Sequence, residues 1–148
     1  MRKLYLIIIL ITFGFINPVR ANTISLDPVH IRLSASAGEV KNGVVKIDNP
    51  SPKQVRIKVY LEDWRYSSSS EGTKEFFPAG TTALSCAKWI SFSPAEFNLP
   101  AFGRQEVNYT MRLPQETEGS YFAVMFFETD LSESKAQESE SMVRFKAR

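Results

Sequence analysis

Two stretches of the chain alternate apolar and polar residues with period two. In QVRIKVYLEDW, Val55, Ile57, Val59 and Leu61 fall on one side and Arg56, Lys58, Tyr60 and Glu62 on the other. In EVNYTMRLP, Val107, Tyr109, Met111 and Leu113 face one way and Asn108, Thr110 and Arg112 the other. Each predicts a strand that buries one face. Shorter apolar runs predict strands in ISLDPVHIRLSA near the start, NGVVKIDN at 42–49, AKWISFSP at 87–94 and SYFAVMFFETD at 120–130. Turn formers separate them: Asn49-Pro50-Ser51-Pro52, Ser67 to Gly72, Pro78-Ala79-Gly80 and Pro100 to Gly103. No window sustains a 3.6-residue period, so the pattern predicts an all-β antiparallel sandwich of about seven strands with Greek-key connections.

SYFAVMFFETD is apolar at both parities, which one dry face does not explain. We assign Tyr121, Ala123, Met125 and Phe127 to the core between the sheets. Phe122, Val124 and Phe126 then form an interaction face, dried by a second domain, a covering segment or a bound strand. The alternative cover is the 67–80 loop, with Phe76 and Phe77. Trp64 and Trp89 read as core or rim aromatics, Trp64 arriving where the alternation after Leu61 breaks, as at a bulge. LSESKAQESES at 131–141 reads as a flexible charged linker. In the MVRFKAR that follows, Val143 and Phe145 alternate with Arg144 and Lys146, as at the beginning of a strand.

The N-terminus changes the picture of charge. Arg2 and Lys3 precede an apolar run from Leu4 to Ile16, and Val19-Arg20-Ala21 follows. Residues 1–21 are therefore expected to be a secretory signal peptide cleaved after Ala21. The run is shorter than the roughly 20 residues that span a bilayer, so no stable membrane span is expected after cleavage. Losing Arg2, Lys3 and Arg20 from 18 basic residues leaves 15 against 16 acidic ones, turning a net charge of +2 into −1. No basic excess is left to indicate nucleic acid. Residues 22–148 suffice for one domain that buries roughly two thirds of its unfolded surface. Cys86 is the only cysteine, so the domain has no internal disulfide and Cys86 reads as a small apolar filler.

Catalytic chemistry is sparse. His30 is the only histidine and has no cysteine or acidic cluster at ligand spacing, so neither a metal site nor a hydrolytic triad is expected. Glu62-Asp63, Glu116 with Glu118, and Glu128 with Asp130 read as solvated pairs at strand ends. Gly72, Gly80 and Gly103 are isolated turn glycines, not a phosphate loop. The expectation is a binding protein, not an enzyme, with no cofactor and no small-molecule substrate.

The stretch LPQETEGSYFAVMFFE, Leu113 to Glu128, resembles a segment of the N-terminal immunoglobulin-like domain of the periplasmic pilus (fimbrial) chaperones. Pro114, Glu116 and Glu118 fall on that segment's Pro, acidic and Glu positions. PAEFNLPAFGRQEV is similar to the segment before its fifth strand, with two extra residues ahead of Gly103. ISLDPVHIRLSA and VVKIDNPS are similar to its first two strands, Asn49 closing the second. Thr117 stands where the family has a basic residue and Val124 where it has Asn, and no counterpart of the family's second domain is expected within residues 22–148, so the resemblance is to a divergent or truncated member.

The resemblance implies an immunoglobulin-like β-sandwich in the periplasm that captures an incomplete, pilin-like or other exported β-subunit by edge-strand pairing. Val143 and Phe145 take the place of the donor residues on the last strand. Basic residues holding the subunit's terminal carboxylate fall at Lys146 or Arg148 on the last strand and at His30 or Arg32 on the first. Glu118 matches a glutamate of the interdomain salt bridge. The alternative is a structural or adhesive immunoglobulin-like module of an envelope protein without chaperone activity.

Overall fold

Period-two alternation becomes two packed sheets, because each alternating strand can dry only one face and needs a second layer to dry it. The computed structural model describes residues 24–69, 72–130 and 139–147. The expected signal peptide, Arg148 and residues 131–138 of the expected linker lie outside the described residues. The strands are β1 (Ser25–Asp27), β2 (His30–Leu33), β3 (Val40–Asp48), β4 (Val55–Tyr66), β5 (Lys74–Pro78), β6 (Ile90–Ser93), β7 (Glu96–Leu99), β8 (Arg104–Arg112), β9 (Tyr121–Asp130) and β10 (Ser139–Ala147). One sheet runs β1-β3-β8-β6; the other runs β2-β10-β9-β4-β5, with β7 also on β4. Nearly all pairs are antiparallel, but β2 lies parallel to β10. This is an immunoglobulin-like β-sandwich.

Ten strands replace the expected seven or so for local reasons. Pro28 has no N–H to give a ladder. The first strand breaks there, and β1 joins one sheet while β2 joins the other. The long β4 takes two short partners along its length, β7 at Val55–Lys58 and β5 at Glu62–Tyr66. β10 is also longer than the sequence pattern suggests, since Ser139 to Ser141 lie in it and not in a linker.

The core is built from the inward parity of each long strand. Val45, Ile47, Val55, Ile57, Val59, Val107 and Met111 are buried with Ala123, Met125 and Phe127, and Tyr121 packs beside them. The parity assigned to β9 is the one observed. Gly43 is set by the core's need for space, because a Cβ there would overlap the ring and hydroxyl of Tyr109 across the β3–β8 pair. Gly43→Ala is expected to cost about 1–2 kcal/mol through overpacking, measured by urea unfolding.

The two outward faces differ in chemistry. On the β1-β3-β8-β6 sheet the outward positions are polar and cross-linked: Arg104 donates to Asp48 (2.6 Å) and Thr110 to Asn42 (2.7 Å). On the other sheet the outward face carries Tyr60, Trp64, Phe76, Phe122 and Phe126 in ring contact. The aromatic face is the one on which the sequence set Phe122, Val124 and Phe126.

Candidate functional site

Val143 and Phe145 do not point toward a partner. Their parity on β10 faces the core, where both are buried and Phe145 meets the Tyr109 ring edge-on at 5.1 Å. A donor role for these two side chains is corrected on that ground. The outward parity of β10 instead carries Met142 and Arg144, both half-buried.

The open face expected of Phe122, Val124 and Phe126 is narrower than the sequence suggests. Tyr60 stacks on Phe126 at 5.3 Å, and Phe76 meets the same ring edge-on at 5.1 Å. Val124 and Phe126 are 1% and 2% exposed, so the domain dries them itself, partly through β5 as the loop alternative anticipated. Phe122 alone stays half-buried, with Trp64 edge-on at 5.9 Å. Trp64 is not at a bulge. β4 keeps one register with β5 from Glu62 to Tyr66, through Trp64, and the apparent break in alternation arises because Asp63 occupies an inward position.

Asp63 is fully buried and organises the floor of this region. Its carboxylate accepts hydrogen bonds from the Thr81 and Thr82 amides, each at 2.8 Å, and from the Ser85 hydroxyl at 2.5 Å. The loop held in this way binds both main-chain groups of Phe122: its N–H donates to Leu84 and its carbonyl accepts from Cys86. Burial raises the Asp63 pKa, but the hydrogen bonds from Ser85 and the loop amides outweigh it and hold the carboxyl below its ordinary value. Cys86, beside it, is buried and its thiol is pushed up to about 12 by desolvation, which leaves it unreactive.

Beside this floor β2 and β10 gather cations. His30 pairs with Arg144 and Arg32 with Lys146 in the parallel ladder. The Arg144 guanidinium donates to His30 Nε2, so that imidazole lone pair orients an arginine. His30, Arg32, Arg144, Trp64 and Phe122 line a half-open cleft of about 170 Å³. The structure thus brings both first-strand candidates to one place. Arg144 was legible only as the polar member of an alternation. Glu118 is exposed in the turn before β9. Among the described residues no group of three or more His, Cys, Asp or Glu side chains could hold a metal ion.

The second feature of the site is main-chain. β2 pairs with β10 only over Arg144–Ala147, whereas β9 pairs with it over Ser139–Ala147. Among the described residues no strand pairs with the other edge of β10 from Ser139 to Val143. This open edge runs directly into the cationic cleft.

No family model and no curated protein matches the sequence. Solved structures do match in fold. A PapD-like domain of human CEP192 is similar over 90% of this chain and 91% of its own, at a TM-score of 0.58 and 16% identity. The periplasmic chaperone SfaE matches over 85% of this chain and 57% of its own, at 0.57 and 11%. A chain of the CsuC–CsuE chaperone–tip adhesion subunit pre-assembly complex of Acinetobacter baumannii matches over 84% of this chain and 51% of its own, at 0.59 and 12%. The fold is that of PapD-like domains, and this chain spans about half the length of the pilus-chaperone chains it matches.

Proposed function

We propose that this domain is a periplasmic chaperone-like module that captures an incomplete, pilin-like β-subunit by strand pairing on β10. The observation that carries the reading is the edge of β10 over Ser139–Val143, open among the described residues and ending at Val29, His30 and Arg144. An edge of unpaired main-chain groups is a template for an added strand. A chain whose terminal carboxylate meets the cations must run parallel to β10 and end where β2 begins. Affinity then comes from main-chain hydrogen bonds and register from Arg144 and Arg32, with Met142 as the apolar contact on the outward face. Lys146 stands opposite Arg32 in the same ladder, and Arg148 continues the series by sequence. Glu118 is kept for a contact with a second domain. The reading is supported by similar chains in chaperone–subunit complexes, among them SafB with the SafA pilin of Salmonella enterica.

The test is capture of a pilin-like subunit lacking its final strand, followed by size-exclusion chromatography. The wild-type domain is expected to form a one-to-one complex. Replacing Arg32 and Arg144 by Ala is expected to weaken it by about tenfold or more, the scale of lost charge-assisted hydrogen bonds. No complex, or one indifferent to both arginines, would overturn this mechanism. The alternative is a structural or adhesive module without chaperone activity, since the PapD-like fold, matched over nearly the full length of the human CEP192 domain, does not by itself specify subunit capture. That module would remain monomeric and ignore the added subunit.

A further inference from the structure

We propose that the cleft also reads the last side chain of the captured partner, and that it selects an aromatic residue there. The inference rests on the capture reading above and adds a specificity to it. Two observations carry it.

The first is the size and lining of the cleft. Its volume is about 170 Å³, comparable with the roughly 150 Å³ that accommodates a benzene ring. Trp64 and Phe122 supply aromatic surface, meeting each other edge-on at an interplanar angle of 72°. Arg32, Arg144 and His30 supply the polar side. A ligand that fits both halves carries an anion and a flat apolar group close together. A terminal residue with an aromatic side chain and a free carboxylate has that chemistry. Its ring would pack edge-on or offset against Trp64 and Phe122, while its carboxylate meets the guanidinium groups.

The second is that Trp64 is poorly served by the domain itself. Its indole Nε1 is buried and, among the described residues, has no acceptor. A buried donor left unpaired is costly, and phenylalanine or leucine would avoid that cost at an outward strand position. The ring is also held from several sides, with Tyr66 edge-on at 5.4 Å and the Lys74 ammonium 5.7 Å from its centroid. Trp64 is therefore fixed in place next to the cations by contacts that do not satisfy its own polar atom. A role in recognition accounts for that arrangement.

The experiment uses short β-forming peptides carrying an N-terminal fluorophore, ending in Tyr or in Ala, each as the free acid and as the amide. Fluorescence anisotropy is read on the whole domain. The Tyr acid is expected to bind about tenfold more tightly than the Ala acid, the scale of partly burying one aromatic ring. Trp64→Leu is expected to bring the two within about twofold of each other, and Trp64→Phe to restore most of the preference. The preference is a ratio within one variant, so a general loss of folded protein lowers both affinities and leaves it unchanged. Equal binding of Tyr and Ala acids, with amides weaker than acids, would overturn the aromatic specificity and leave carboxylate capture standing. Equal binding of acids and amides would overturn the anchoring itself, and no binding by any peptide would overturn both.

Discussion

Met142→Pro is expected to reduce subunit capture by at least tenfold while leaving the domain folded, and Val143→Pro, one residue on, is expected to unfold it. The contrast follows from the direction of main-chain groups on β10. The Arg144 N–H donates to the Val29 carbonyl on the β2 side. Along an antiparallel strand this direction alternates, so Met142 turns its N–H to the open edge and Val143 turns its own to β9. Proline at Met142 removes a donor on the edge that stays open among the described residues, and prolines are tolerated at such edges. Proline at Val143 removes a ladder hydrogen bond and a fully buried side chain together, a loss of about 3 kcal/mol or more. Thermal unfolding and a capture assay on both variants decide the matter. A folded Met142→Pro protein that captures as well as the wild type would show that the open edge is not the docking strand.

The second large effect is expected at Asp63. Asp63→Ala removes the acceptor for Thr81, Thr82 and Ser85 together, in a fully buried position. Stranding those donors is expected to cost about 3 kcal/mol in urea unfolding at pH 7. Because the folded carboxyl titrates below its unfolded value near 4, its stabilisation is complete above that pH and is lost as the pH falls through the folded value. The gap between wild type and Asp63→Ala should therefore shrink on going from pH 7 to pH 3. A gap independent of pH would mean that the charge of Asp63 contributes nothing. Since the loop it holds binds both main-chain groups of Phe122, the variant should also blunt the cleft.

How far the sequence could be read depended on the distance over which each feature is decided. Period-two alternation in β4 and β8 is local, and it named the buried face of both correctly. The parity of β9 followed from the same rule. The fate of the opposite face did not, because Tyr60 and Phe76 reach Phe126 from β4 and β5. The resemblance to pilus chaperones led to the right fold but placed Val143 and Phe145 as donors, and register turned both inward. Arg144 was hidden because nothing local distinguishes a polar strand position facing water from one facing a histidine on a strand more than a hundred residues away. Asp63 read as a solvated end charge, since its three donors come from a loop whose path the sequence does not specify.

The sequence by itself determined an all-β sandwich, its long strands and their dry faces, and the scarcity of catalytic groups. These rest on alternation, turn chemistry and composition, which act within a few residues of the chain. Only the tertiary structure decided that β2 lies beside β10 along part of its length, leaving, among the described residues, an open edge that ends at His30 and Arg144. Only it decided that Trp64 and Phe122 border those cations. Strand order and register are set by packing two sheets against one core, and that constraint is satisfied by the chain as a whole.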